Sequence, residues 1–132
     1  MSKRNLLLLF VVMFWLIGCA TTAPVLESPR QVSVPAAADA GDVEDAVIDA
    51  LRTRGWAVAE RSDGRIVADL NVRAHFARID IRYDADSVTL EYVDSRNLEY
   101  EVVEGEERIH GNFNSWMTNL VNDIQRSLSF VE

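Results

Sequence analysis

The sequence predicts an α+β domain made of an N-terminal helix, an antiparallel β-meander of three to four strands and a C-terminal helix, with both helices packed on one face of the sheet. Apolar residues recur at helical spacing at both ends of the region 42–132, and they alternate with polar residues between those ends. The connections between the alternating segments are too short for parallel crossovers. About ninety residues suffice for one hydrophobic core, so we expect a single domain there.

The first predicted helix lies in the stretch DVEDAVIDALRTRG, which begins at Asp42. Acidic residues in its first turn and arginines in its last turn are favourable beside the helix dipole. Gly55 follows where helices commonly end in a left-handed residue, so we expect the helix to stop at Arg54. One face of this helix is apolar and carries Val43, Ala46, Val47, Ala50 and Leu51.

Four segments predict strands of the meander. The segment 56–60 is the weakest, and an Asp-Gly turn signal follows it. The segments 65–72, 77–84 and 87–94 alternate apolar and polar residues, as half-buried antiparallel strands do. Mixed charges on the polar face favour cross-strand pairing in water over a ligand site. That face would carry Asp69, Asn71, Arg73, Arg78, Asp80, Arg82, Thr89 and Glu91.

An acidic stretch separates the predicted sheet from the last helix. Its carboxylates suggest a cation site, but they lack the fixed spacing of oxygen ligands in a calcium loop. We therefore expect a solvated acidic loop without a metal. The acidic residues are Glu99, Glu101, Glu104, Glu106 and Glu107.

The chain closes with a predicted amphipathic helix whose apolar residues recur every three or four positions. Asn112 stands where an N-cap residue belongs, because its side chain can accept from the free amides of the first turn. Phe113 and Trp116 would anchor this helix in the core. The apolar stripe consists of Phe113, Trp116, Met117, Leu120, Ile124 and Leu128.

The start of this helix is one candidate binding surface, and the polar face of the sheet is the other. His75, near a predicted hairpin turn, is interpreted as a surface or turn-stabilising histidine, and His110, before the helix, as a residue that bonds backbone. The sequence holds no catalytic motif of the hydrolase, zinc-protease or phosphate-loop types and no third metal ligand at suitable spacing, so we expect no catalysis, metal or cofactor. The candidate residues at the helix start are Asn97, Tyr100, His110, Asn112 and Asn114.

The N-terminal region predicts export from the cytoplasm. Lys3 and Arg4 precede an unbroken apolar run from Leu6 to Ile17, which is the pattern of a signal peptide. A membrane-spanning helix needs roughly 20 apolar residues, so this run is too short to span. The stretch LIGC that ends at Cys19 resembles the lipobox of bacterial lipoprotein precursors. This resemblance implies a signal peptide at 1–18 and a lipid anchor on Cys19, whereas an ordinary secretory signal is the alternative.

We expect residues 19–41 to hold the lipidated cysteine and a flexible tether that folding does not require. All three prolines, at positions 24, 29 and 35, lie in this stretch, and it lacks a periodic apolar pattern. Ala20 follows the cysteine where aspartate would favour inner-membrane retention in enterobacteria. The lipoprotein resemblance therefore implies the periplasmic side of the outer membrane, with the inner membrane as the alternative. Cys19 is the only cysteine, so the domain has no internal disulfide.

The charge of the chain excludes some classes of partner. The formal net charge is −8, and removal of Lys3 and Arg4 with a signal peptide leaves −10. Affinity for nucleic acids and anionic lipids comes from clusters of basic residues, and the chain has no such cluster. We therefore expect neither nucleic acid nor an anionic lipid surface as the partner of the domain.

Four segments cover most of the domain: GWAVAE, GRIVADLNVRAHFARIDIRY, DSRNLEY and IHGNFNSWMTNLVNDIQ. They resemble a family of small, functionally uncharacterised proteobacterial outer-membrane lipoproteins. Gly111 and Phe113 depart from the family, which has a proline-like turn residue and a tyrosine there. The resemblance implies a fold and a location but no activity. The closing pattern that carries it is Ile109, His110, Phe113, Asn114, Trp116, Asn119, Leu120, Asp123 and Ile124.

The sequence thus predicts a membrane-anchored periplasmic lipoprotein that acts as a non-catalytic binding or accessory module of the cell envelope. In layout it resembles the accessory lipoproteins of outer-membrane assembly machinery, although fold alone does not carry function. The predicted partners are the membrane, through the lipid on Cys19, and an envelope protein. The alternatives are a mainly structural envelope interaction protein and a small hydrolytic enzyme.

Overall fold

Two helices and seven strands form the part of the protein that the computed structural model describes, residues 24–132. The predicted signal peptide and Cys19 lie outside these residues. Neither described helix is long and apolar enough to cross a membrane. The elements are β1 (Arg30–Ser33), α1 (Ala40–Thr53), β2 (Ala57–Ser62), β3 (Arg65–Val72), β4 (His75–Tyr83), β5 (Ser87–Arg96), β6 (Glu101–Val103), β7 (Glu106–Arg108) and α2 (Gly111–Leu128).

The α+β class is confirmed, but the structure has more strands than the predicted three to four. Strands β1 to β5 form an antiparallel sheet in the order β1-β5-β4-β3-β2, and β6 pairs with β7 in a separate hairpin. Strands β2 to β5 are the predicted meander. Gly64 in the first turn has φ +70°, and a Cβ atom there would lie 3.1 Å from the carbonyl oxygen of Tyr83. This turn therefore requires glycine.

Helix α1 begins two residues before its predicted start at Asp42. Asp39 is its N-cap, and Asp39 and Asp42 accept each other's backbone amides in a capping box. At the other end Gly55, with φ +80°, donates to the carbonyl of Arg52, and Trp56 donates to that of Leu51. These two hydrogen bonds form a Schellman motif with Arg54 as the C-cap, so the predicted end of the helix before Gly55 is confirmed.

The prediction of a flexible tether up to residue 41 is wrong for residues 24–41. Residues 30–33 form β1, which pairs with β5 from Ser87 to Leu90. Val32 is 1% exposed, and Leu26 also joins the core. The prolines at positions 29 and 35 flank this four-residue edge strand without entering it, so they leave its hydrogen bonds intact.

The predicted acidic loop is exposed to solvent as expected, but it forms a β-hairpin instead of an irregular loop. Strands β6 and β7 meet in a two-residue turn at Glu104 and Gly105, where both residues have positive φ. The segment that precedes β1 extends this small sheet, because Leu26 donates to the carbonyl of Glu107 at 2.9 Å and Ile109 donates to that of Pro24 at 2.9 Å. The N-terminal segment therefore contacts both sheets.

One core contains the inward face of the sheet and the buried faces of both helices, which also contact each other. Phe113 is fully buried in this core. Trp116 is only partly buried at its edge, so the predicted role as a main anchor belongs to Phe113 alone. A cross-helix ion pair lies beside this core, with Arg54 donating through Nε and Nη2 to Asp123 at 2.7 and 3.1 Å.

Replacing Val32 by alanine tests whether residues 30–33 belong to the domain. Because Val32 faces the core, the change should lower the free energy of unfolding by about 1.5 to 3 kcal/mol. Its neighbour Gln31 is exposed, and alanine there should change stability by less than about 0.5 kcal/mol. Chemical denaturation of both variants measures the difference. Equal stability of the two variants would instead support the prediction that residues 30–33 belong to a flexible tether.

Replacing Asp123 by asparagine should destabilise the domain at neutral pH more than at acidic pH. The hydrogen bond from Arg54 lowers the pKa of the Asp123 carboxyl below its ordinary value. The stability that this pair contributes is therefore present above the unfolded pKa of about 3.9, and it is lost as pH falls through the lower folded pKa.

The measurement is the unfolding midpoint in urea of wild type and variant, at neutral pH and near pH 3. The matched control is Asp49→Asn, because Asp49 pairs with Arg52 on the exposed side of α1 and should matter little at either pH. A difference between wild type and Asp123→Asn that stayed constant over this range would contradict the assignment.

Candidate functional site

Asn114, one of the predicted binding residues, holds the N-terminal segment of the domain in place. Its side chain is buried and lies in the first turn of α2. Nδ2 donates to the carbonyl of Val25 at 2.8 Å, and Oδ1 accepts from the backbone amide of Glu27 at 3.2 Å. Both ends of the amide are therefore used within the fold, which leaves Asn114 a structural role.

His110 is the N-cap of α2, a position predicted for Asn112. Its Nδ1 accepts from the backbone amide of Asn112 at 3.1 Å, as an asparagine side chain would at this position. The backbone amide of His110 donates to the carbonyl of Leu98 at 2.7 Å. The prediction for Asn112 is wrong because the helix begins at Gly111, which places Asn112 on the exposed side of the first turn.

Asn97 connects the end of β5 to the turn between β3 and β4. It has φ +57°, a conformation that asparagine tolerates better than most residues. Its Nδ2 donates to the carbonyl of Ala74 at 2.6 Å, and its own carbonyl accepts from Nδ1 of His75 at 2.7 Å. The interpretation of His75 as a residue that stabilises a turn is therefore confirmed, and Asn97 acts with it.

Tyr100, another predicted binding residue, places an aromatic ring at the surface of the domain. Its ring stacks on Tyr92 with 4.7 Å between centroids and 16° between planes, and Tyr92 meets Phe113 edge to face at 5.5 Å. Burial raises the pKa of Tyr100, and the nearby carboxylate of Glu107 raises it further. Tyr100 is 40% exposed, so it is the outer member of an aromatic row that begins in the core.

A groove of about 470 Å³ opens beside this aromatic row. Its walls are the N-terminal segment, the middle of β5 and the β6–β7 hairpin. Val25 and Val93 on its walls are 44% and 48% exposed, which is high for branched aliphatic side chains. The groove therefore combines apolar, aromatic and acidic surface. Its main side chains are Val25, Glu91, Tyr92, Val93, Tyr100 and Glu107.

Only some residues of this groove are among those that the sequence singles out. Tyr100 was predicted at the start of the last helix and Glu91 on the polar sheet face, whereas Val25 was assigned to the tether. Alternation in RQVSV is the one sequence signal for the strand that brings these segments together, and it covers only two apolar positions. The groove depends on pairing between residues far apart in the chain.

The polar face of the sheet is occupied by cross-strand ion pairs, as its mixed charges predicted. Arg78 donates to both carboxylate oxygens of Asp69, at 2.7 and 2.8 Å. Arg65 donates to the buried carboxylate of Asp80 at 2.9 Å, and Arg82 reaches the same carboxylate at 3.4 Å. These groups satisfy one another within the sheet, which makes this face the weaker candidate for a binding site.

No group of three or more histidine, cysteine or acidic side chains within residues 24–132 is placed to hold a metal ion. Comparison with known proteins adds no assignment, since no family model, curated protein or solved structure matches the chain. The resemblance to proteobacterial lipoproteins therefore stays a prediction.

Alanine at position 114 should loosen the N-terminal segment. The change leaves the carbonyl of Val25 and the amide of Glu27 without their partner, so we expect a loss of about 1 to 3 kcal/mol of stability. Asn112→Ala is the matched control, because that side chain is exposed and should be within about 0.5 kcal/mol of wild type. Denaturation and limited proteolysis before β1 measure both variants. A binding role alone for Asn114 would leave stability and cleavage unchanged.

Proposed function

We propose that this protein is a lipoprotein of the bacterial cell envelope that acts as a non-catalytic binding module. Acylation of Cys19 would attach it to the outer membrane, on the periplasmic side. The LIGC stretch after a short apolar run supports the anchor. The observation that carries the binding role is the groove between β5 and the β6–β7 hairpin, because it exposes valine and tyrosine side chains at the same end of the domain where the chain from Cys19 enters.

The distance between the anchor and the domain is short in this proposal. Five Cα steps separate Cys19 from Pro24, and a fully extended chain covers at most about 18 Å in that length. Pro24 is fixed to the domain by the hydrogen bond from Ile109, and its ring lies next to Gly111 at the start of α2. The groove, which begins at the neighbouring Val25, would therefore lie close to the membrane surface.

An exposed groove favours binding over a purely structural role. Its surface is mainly polar, so an occupant would bind mainly through hydrogen bonds and charge, with apolar contacts from Val25 and Val93. The volume of the groove also falls within the range of about 300 to 1,000 Å³ that is typical of ligand sites. The acidic side chains of the hairpin speak against anionic phospholipid as the occupant, so an envelope protein is the proposed partner.

Replacing Cys19 by alanine tests the anchor. Wild-type protein should incorporate a fatty-acid analogue in cells and fractionate with outer membranes. The Cys19→Ala variant should carry no label and lose its outer-membrane location, because no other residue can accept the thioether-linked lipid. Thr22→Ala is a matched control that should behave as wild type. Wild-type protein without label would refute the anchor.

A further inference from the structure

We infer that the groove binds an extended, basic segment of another envelope protein, which adds as a strand to the uncovered edge of β5. This inference deepens the proposed binding role and rests on it. It follows from the groove's backbone edge, its charge and its aromatic wall, each of which the structure describes independently.

The backbone edge comes from the way in which the N-terminal segment divides between the two sheets. Strand β1 pairs with β5 only as far as Leu90, and within residues 24–132 no strand continues this pairing along 91–96. Before β1 the chain leaves this edge at Ser28, whose Oγ accepts from the backbone amide of Tyr92 at 3.0 Å. The residues that precede Ser28 lie beside β7 instead, where Val25 pairs with Arg108. Beyond Tyr92 the edge of β5 therefore has no strand partner among the described residues, and at Val93 this edge borders the groove. Addition of a strand to such an edge is a common mode of peptide recognition.

The charge of the groove selects a cationic segment. Glu91 and Glu107 line it, and none of the residues that line it is basic. Within residues 24–132 Glu91 forms no salt bridge. The whole chain is also acidic, with a formal net charge of −8, so its field attracts basic partners and repels acidic ones. A second copy of the same chain is disfavoured as the occupant for this reason.

The aromatic wall suits arginine in particular. Tyr100 is stacked on Tyr92 and stays partly exposed next to Glu107. A guanidinium group can stack on a tyrosine ring and pair with a carboxylate at the same time, whereas an ammonium group does this less well. Val25 and Val93 provide apolar contacts for the residues between the arginines. An extended segment that alternates basic and apolar residues would present both kinds of side chain to this groove.

The test is a titration of the full mature protein in non-ionic detergent with a labelled hexapeptide of alternating arginine and valine. A hexapeptide of alternating glutamate and valine and detergent without protein serve as controls. We expect the arginine peptide alone to bind, with an affinity that falls as salt is raised. Failure of the arginine peptide to bind up to millimolar concentration, or equal binding of both peptides, would overturn the inference.

The double variant Glu91→Gln, Glu107→Gln should bind the arginine peptide at least tenfold more weakly. Glu132→Gln removes the same kind of charge beyond the far end of α2, about 27 Å from the groove end of that helix, and should bind as wild type. Tyr100→Ala should also weaken binding about tenfold, whereas Tyr100→Phe keeps the stacked ring and should stay within twofold. Thermal melts of all variants establish that they are folded.

Unchanged binding by the folded double variant or by Tyr100→Ala would show that the peptide sits elsewhere and would overturn the inference. Sedimentation of the unliganded protein tests the other occupant, because a stable dimer that the peptide dissociates would assign the groove to a second copy. The lipid anchor and the peptide site are tested by independent experiments. Absence of lipid labelling would refute the anchor without changing the titration result, and failure of the titration would refute the peptide site without changing the labelling result.

Discussion

The double pairing of the N-terminal segment is the constraint on which the rest of the structure depends. Residues 30–33 complete the five-stranded sheet, and the residues before them extend the β6–β7 hairpin. Asn114 in α2 fixes the connection between these two parts through its contacts to Val25 and Glu27. Without this segment the hairpin and the residue after it would lose the backbone hydrogen bonds to Leu26 and Pro24, and the core would lose Val32. The same segment forms one wall of the groove, so the candidate site exists only when this segment is paired in the folded domain.

The elements that were predicted correctly are those with strong local signals. Helix α1 has an apolar face, a cap and Gly55, and strands β3 to β5 have eight or more residues each, which is long enough for their alternation to be recognised. Strands β1, β6 and β7 have only three or four residues, which is too short for alternation to be recognised. Their stability comes from partners distant in the chain. The prolines around β1 favoured the prediction of a tether, and the glutamates of β6 and β7 favoured the prediction of a loop. In the structure, pairing with distant strands outweighs these local preferences.

The candidate site was predicted less well than the fold for a related reason. Asparagine and histidine at the start of a helix can serve a ligand or the backbone, and residue type alone does not separate these roles. In the structure Asn97, His110 and Asn114 all bond backbone groups. Tyr100 is different because its ring position is set by stacking on Tyr92, a contact that sequence spacing does not reveal. The groove forms only where β5, the hairpin and the N-terminal segment meet in the folded domain.

The length of the connection from Cys19 and the acidity of the groove together determine how the groove could lie relative to the membrane surface. At physiological ionic strength the Debye length is about 8 Å, so repulsion between the groove carboxylates and an anionic membrane surface is largely screened beyond one or two such lengths. An extended connection from Cys19 to Pro24 reaches about 18 Å, just over two Debye lengths. With the proposed anchor the domain could therefore stand far enough from the surface for the groove to stay uncovered by lipid. It would still be close enough to meet segments of proteins that emerge from the same membrane, so a partner anchored there would bind at a high effective concentration.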